Sequence, residues 1–297
     1  MAAAIEHSFL SGDFLARLEK LHLVAKRLNW GNSRGEHPTA RRGYSLEFSD
    51  YRKYDRGDDL RYVDWNVYGR LDRLLLKVFT AEEEMNLYLL VDASGSMAGS
   101  NQTKMDFAKR VAAALGYIGL KAHDRVGALS FSDDVVSHIP LGRSRRQILA
   151  LFNFLERLPC GGRTNLEQAI KTFTLRFPRR GLVVLLSDLL DSGGCQTALN
   201  ELVKQKHDIL VIHVLADDDL RLEPRGDSSL IDVETDRERR VFLDRDLARR
   251  FQAEVDRYFR DTASFCQSRS IDYFRTNAND SFEDFVLRYL RQDHRIG

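Results

Sequence analysis

Short apolar runs alternate with stretches of helical period over most of the chain. Residues 87–91, 126–131, 182–187 and 209–215 are strand-length runs rich in Leu, Val and Ile, the pattern of strands buried on both faces. Between and around them, residues 105–121, 145–158, 166–177 and 197–206 return apolar side chains every three or four positions. Residues 135–139 follow the second run across Asp133-Asp134, which predicts an antiparallel edge strand. The alternation predicts an α/β fold: an open, mostly parallel sheet with helices on both faces. Beyond Asp217 a polar stretch leads to a hairpin (230–234 with 241–243), a long charged helix over about 246–268, a strand at 273–276 and a closing helix at 282–291.

The first 84 residues read differently. Residues 11–30 form an amphipathic helix with Phe14, Leu18, Leu21, Ala25 and Leu28 on one stripe and Ser11 or Asp13 as its cap. Residues 32–43 are a polar, basic loop, and short strands are expected at 45–48 and 74–79. Outside the helix and the second strand, aliphatic residues are sparse. The segment 1–84 is therefore expected to be a small α+β appendage packed on a main domain spanning 85–297. Between its strands, Gly57-Asp58-Asp59 reads as a tight turn. Arg52, Arg56 and Arg61, interleaved with Asp55, Asp58 and Asp64, read as an ion-pair network around Trp65, a structural clasp in preference to a docking surface.

Composition excludes several classes. The chain has 297 residues, 43% hydrophobic and 30% charged, enough for a sizeable core and against wholesale disorder. With 45 Lys+Arg against 44 Asp+Glu, it carries no global field toward nucleic acid or anionic membrane. Eight scattered histidines lack zinc-site spacing, and Cys160, Cys195 and Cys266 lack metal or redox spacing, so they read as buried thiols of a reducing compartment. The opening has no basic region followed by an apolar stretch, and the apolar runs are far shorter than a membrane helix. A cytoplasmic protein without an integral membrane segment is expected. Arg225-Gly226-Asp227 reads as a chance turn.

The chemistry concentrates in three loops. Strand 87–91 runs into Asp92-Ala93-Ser94-Gly95-Ser96, one carboxylate and two hydroxyls at alternate positions of a turn. Oxygen ligands of this kind suit a hard divalent cation, Mg²⁺ first, then Mn²⁺ or Ca²⁺. Gly161-Gly162-Arg163-Thr164-Asn165 precedes a helix, and strand 182–186 exits into Ser187-Asp188. Singly these are ordinary: a helix-capping turn, Thr164 as an N-cap, Asp188 as a turn residue. Jointly they place oxygen donors where ligand loops of open α/β sheets belong. No G-x-G-x-x-G, G-x-x-x-x-G-K or G-x-S-x-G pattern is present.

Asp92, Ser94, Ser96, Thr164 and Asp188 resemble the metal-ion-dependent adhesion site of von Willebrand factor A domains. The resemblance implies that Ser94, Ser96 and Thr164 bind the metal, with Asp92 and Asp188 acting directly or through water. Mostly neutral ligands leave such a cation positive with an open position, which a partner's carboxylate completes. Tyr54-x-x-Gly57-Asp58-Asp59-x-Arg61-x-x-Asp64-Trp65, then Glu82-x-Glu84 and the strand ending in Asp92, resembles the domain of unknown function 58 family over about residues 15–290. That family carries an A-like domain and is typically encoded beside MoxR-type AAA+ ATPases. The resemblance implies a non-enzymatic, metal-dependent adaptor that captures an acidic residue of such an ATPase or its client in complex assembly or activation. The rival from another class is a metal-dependent phosphoester hydrolase using the same loops, although no general base stands beside them. A third reading makes the site vestigial and the N-terminal segment the binding surface. Three details complete the expectation: Arg145, Arg146 and Arg163 lie near the metal rim, residues 82–84 are candidates to close the site, and Asp92 faces solvent, so that Asp92→Ala spares the fold.

Overall fold

The computed structural model describes residues 9, 11–27, 46–81, 85–98, 103–191, 193–222, 226–232, 234 and 237–292. It divides into two compact units, Met1–Trp30 with Met85–Gly297, and Gly31–Glu84. This corrects the expected split of 1–84 from 85–297. Helix α1 (Gly12–Arg27) belongs to the larger unit, because its Phe14, Leu18, Leu21 and Ala25 are buried in that unit's core. Ser11 caps it, its Oγ accepting from the Phe14 amide at 3.3 Å.

The smaller unit pairs β1 (Leu46–Lys53) antiparallel with β2 (Leu75–Ala81), both longer than the sequence pattern suggests. Between them lie a single 3₁₀ turn, Leu60–Tyr62, and helix α2 (Trp65–Leu71), too short to register as a helical period. Asp64 organises this unit. Its Oδ1 caps α2, accepting from the amides of Asn66 and Val67 at 3.0 and 3.2 Å. Its Oδ2 accepts from Tyr51 Oη at 2.9 Å and pairs with Lys77 Nζ at 3.1 Å. Lys77 foremost, then Tyr51, holds the Asp64 carboxyl down at about 2. The arginines pair more locally, Arg52 with Asp58 at 2.8 Å and Arg61 with Asp59 at 2.6 Å. Trp65 is 58% exposed and meets Tyr68 edge-on, so the charge network does not centre on it.

In the larger unit, the chain runs β3 (Asn86–Asp92), α3 (Gly95–Ala98), α4 (Thr103–Lys121), β4 (Arg125–Phe131), β5 (Val135–Gly142) and α5 (Arg145–Glu156). It continues through α6 (Leu166–Arg176), β6 (Leu182–Ser187), α7 (Gln196–Lys204), β7 (Asp208–Leu215) and α8 (Asp217–Leu220). A hairpin, β8 (Gly226–Ile231) with β9 (Glu238–Leu243), precedes α9 (Arg245–Gln267), β10 (Asp272–Asn277) and α10 (Phe282–Gln292). Six strands form one sheet in the order β10-β7-β6-β3-β4-β5, parallel except for the edge strand β5. The expected open, mostly parallel α/β sheet is what the chain forms.

Strand period two sorts the core into two layers. Leu87, Leu89 and Val91 face the layer filled by α1, α4, α5 and α10, while Tyr88 and Leu90 face the layer filled by α6 and α7 with Cys266 and Ile271. Both faces are covered, which is why the strands are apolar throughout. Helix α4 lies close on the sheet because Gly116 and Gly119 present no side chain there; a Cβ on Gly116 would stand 2.4 Å from Leu151 Cδ2 and 3.0 Å from Leu89 Cδ1. Strand order reverses at β3, with β4 on one side and β6 on the other. The carboxyl end of β3 is thus the topological switch point, the place where ligands of such sheets bind.

Candidate metal centre

Three loops meet beyond β3, and hydrogen bonds lock them together. Gly161 N donates to Ala93 O at 2.8 Å and Gly95 N to Gly162 O at 3.0 Å, joining the loop before α6 to the turn after β3. Gly162 takes a φ of +81°, open to glycine without strain. Leu166 N donates to Asp191 Oδ2 at 2.8 Å, which ties the loop after β6 to the same point.

Asp92 is the last residue of β3 and is fully buried. Its Oδ1 accepts from Ser94 N at 3.0 Å and its Oδ2 from Ser187 Oγ at 2.6 Å. Ser94 and Ser96, also buried, join their hydroxyls at 3.0 Å. Burial first, then the nearby charge of Asp188, pushes the Asp92 carboxyl well above its ordinary value. No cationic side chain pairs with Asp92 among the described residues. The expectation of a solvent-facing Asp92 is therefore corrected: sheet and loops enclose it, so removing the whole side chain would strand two donors.

The other two site residues lie in adjoining loops with their side chains engaged elsewhere. Asp188 is fully buried, and its Oδ2 receives Lys104 Nζ at 2.8 Å. Lys104, in the first turn of α4 and only 3% exposed, also reaches Asp219 Oδ2 of α8 at 2.9 Å. Burial opposes its charge, but Asp188 and Asp219 outweigh burial and hold the ammonium above its usual range. Thr164 is not the cap of α6; Asn165 is, its Oδ1 accepting from Gln168 N at 3.0 Å. Thr164 instead donates through Oγ1 to Glu234 Oε1 at 2.8 Å and through its amide to Glu234 Oε2 at 3.2 Å.

Further contacts fix the loop after β6. Leu189 takes a left-handed φ of +54°, costly for a branched side chain, and is held by Ser187 Oγ on its amide at 2.9 Å and Tyr258 Oη on its carbonyl at 2.7 Å. His213 bridges Asp188 O at 2.8 Å and Tyr273 Oη at 2.7 Å. A carbonyl only accepts, so Nε2 carries the proton and Nδ1 accepts from the tyrosine. Burial pushes this imidazole down to about 4, which keeps it neutral.

The DUF58 model, described as a protein of unknown function, matches residues 50–260. The chain belongs to this family. Uncharacterised proteins of Mycobacterium bovis and Mycobacterium tuberculosis are each 30% identical to it over 246 residues, covering 79% of this chain and 77% of theirs. A Mycobacterium avium protein is 27% identical over 139 residues, covering 47% of this chain and 82% of its own. Among solved structures, the conserved hypothetical protein BatB of Bacteroides thetaiotaomicron is 15% identical with a TM-score of 0.44, over 72% of this chain and 100% of that one. An aerotolerance-related membrane protein of Bacteroides fragilis is 16% identical with a TM-score of 0.44 over the same shares, 72% and 100%.

Lys104, Asp219 and Glu234 of this DUF58 protein were not singled out by sequence reasoning. Lys104 opens a helix like any solvated lysine, and Glu234 ends an expected strand; only the fold carries each to the site. Arg145 and Arg146 do not line the rim. They follow β5, whose last residue Gly142 pairs with Val126 at the amino end of β4, the opposite end of the sheet from the site. Residues 82–84 and Arg225 lie outside the described residues. Among the described residues there is no cluster of three or more His, Cys, Asp or Glu suited to a metal, and no helix is long and apolar enough to cross a membrane. Any cation here relies on hydroxyls as much as carboxylates.

Proposed function

We propose that this DUF58 protein is a metal-ion-dependent protein–protein interaction module. The observation that supports it is a buried carboxylate, Asp92, enclosed with two hydroxyls at the switch point and lacking a cationic partner among the described residues. A buried charge left without a counter-charge is costly, and a divalent cation among oxygen donors removes that cost. Asp92, Ser94 and Ser96 would hold the cation, with Thr164 and Asp188 from the flanking loops; Mg²⁺ suits the set best, Mn²⁺ or Ca²⁺ next. The cation supplies a positive centre that attracts a carboxylate. Lys104 meanwhile pairs with Asp188, so that Asp92 is the carboxylate left to the metal's charge.

On this reading the protein is not an enzyme. Its partner is a MoxR-type AAA+ ATPase or an acidic client, which the chain would help to assemble or activate in the cytoplasm. The ATPase follows from the family resemblance, the acidic residue from the chemistry of the site. The test is capture of a purified MoxR-type ATPase from the same genome on the immobilised full chain. Capture in Mg²⁺ that chelator and Asp92→Asn both abolish supports the adaptor reading; capture indifferent to both overturns it.

A further inference from the structure

Among the described residues, the β8–β9 hairpin reaches the site through Glu234. Asp232 donates its amide to Arg237 O at 2.9 Å and accepts from Glu234 N through Oδ1 at 2.9 Å. This aims Glu234 at Thr164, and both carboxylate oxygens are spent on that one residue, on its Oγ1 at 2.8 Å and its amide at 3.2 Å. Thr164 is 8% exposed, so the contact is largely shielded from solvent. A hydroxyl that gives its only proton to a carboxylate has its lone pairs turned elsewhere, and the carboxylate makes that oxygen a better donor to a cation.

We propose that Glu234 is a positioning residue of the metal centre, and that the hairpin is a clasp whose docking and cation binding reinforce each other. This rests on the metal-dependent reading above. Outer carboxylates that orient a metal's ligands typically contribute 10–100-fold in affinity. Linkage makes the coupling reciprocal: whatever factor the docked hairpin adds to cation affinity, the cation adds to hairpin docking. A partner that levers the hairpin away would loosen the cation, and cation loss would free the hairpin.

The probe is Mn²⁺ alone, titrated calorimetrically into the full chain, wild type beside Glu234→Gln and Glu234→Ala. Hydrogen exchange of residues 226–243 is followed with and without the ion. The expected result is a 10–100-fold weaker Kd in both variants with unchanged melting of the metal-free proteins, and slower hairpin exchange on adding Mn²⁺ to wild type only. An unchanged Kd in Glu234→Gln, or hairpin exchange indifferent to Mn²⁺, overturns the clasp while leaving the metal reading intact. Absence of saturable binding by wild type overturns both.

Discussion

Lys104→Met tests how the site balances its charges. The ammonium is 3% exposed and bridges Asp188, fully buried, to Asp219, whose side chain is 18% exposed. Removing it affects the two acids unequally. Asp219 Oδ2 keeps the Ala216 amide at 2.8 Å and can take up water. Among the described residues, Asp188 keeps only the Leu190 amide on Oδ1, at 3.2 Å, and its Oδ2 is left charged and buried. Breaking a buried pair from one side costs about 3–5 kcal/mol, much of it the penalty on the stranded charge. For a domain of this size each kcal/mol moves Tm by roughly 2–4 °C, so the variant should melt about 6–20 °C below wild type in chelator. Lys104→Met combined with Asp188→Asn should melt above the single variant, because no charge is then stranded. Scanning calorimetry of the three proteins reads this directly. A loss below about 2 °C in Lys104→Met would refute the reasoning, since the pair would then be no more than a surface contact.

Other consequences follow from the same packing. Gly181→Ala places a Cβ 2.1 Å from the Asn86 carbonyl oxygen, a backbone atom that cannot step aside; overpacking of this kind costs about 1–3 kcal/mol or more, readable as a lower urea midpoint with an unchanged slope. Asp64, held at about 2 in the folded state against about 3.9 in an unfolded chain, stabilises the smaller unit fully above pH 4, and that contribution is lost as pH falls toward 2. Hydrogen exchange of residues 60–71 should accelerate across that window in wild type and be less pH-dependent in Asp64→Asn.

Much of the larger unit was legible because its strands are buried on both faces and its helices on one, so burial writes itself into hydrophobic period. The switch-point loops were legible for the same reason: once β3 and β6 are located, Asp92 and Asp188 fall at their exits. What was not legible depends on contacts far apart in sequence. Lys104 and Asp188 are 84 residues apart, and Thr164 and Glu234 are 70 apart; no local pattern encodes either pairing. The burial of Asp92 is not encoded locally, because a polar residue at a strand exit looks the same whether loops fold over it or away from it. Helix α1 precedes β1 in the chain yet belongs to the larger unit, because its apolar stripe packs into the core that α4 fills. Helices α2, α3 and α8 span only four to seven residues, less than two turns.

The claim on which the account turns is that Asp92, Ser94 and Ser96, flanked by Thr164 and Asp188, hold a divalent cation. Calorimetric titration of the chelator-stripped full chain with Mg²⁺ and Mn²⁺, wild type beside Asp92→Asn, tests it most directly. Asparagine removes the charge and keeps one acceptor, for the Ser94 amide or the Ser187 hydroxyl. One saturable site in wild type that Asp92→Asn loses is the predicted result. No saturable binding by wild type, or equal binding by the variant, would contradict it.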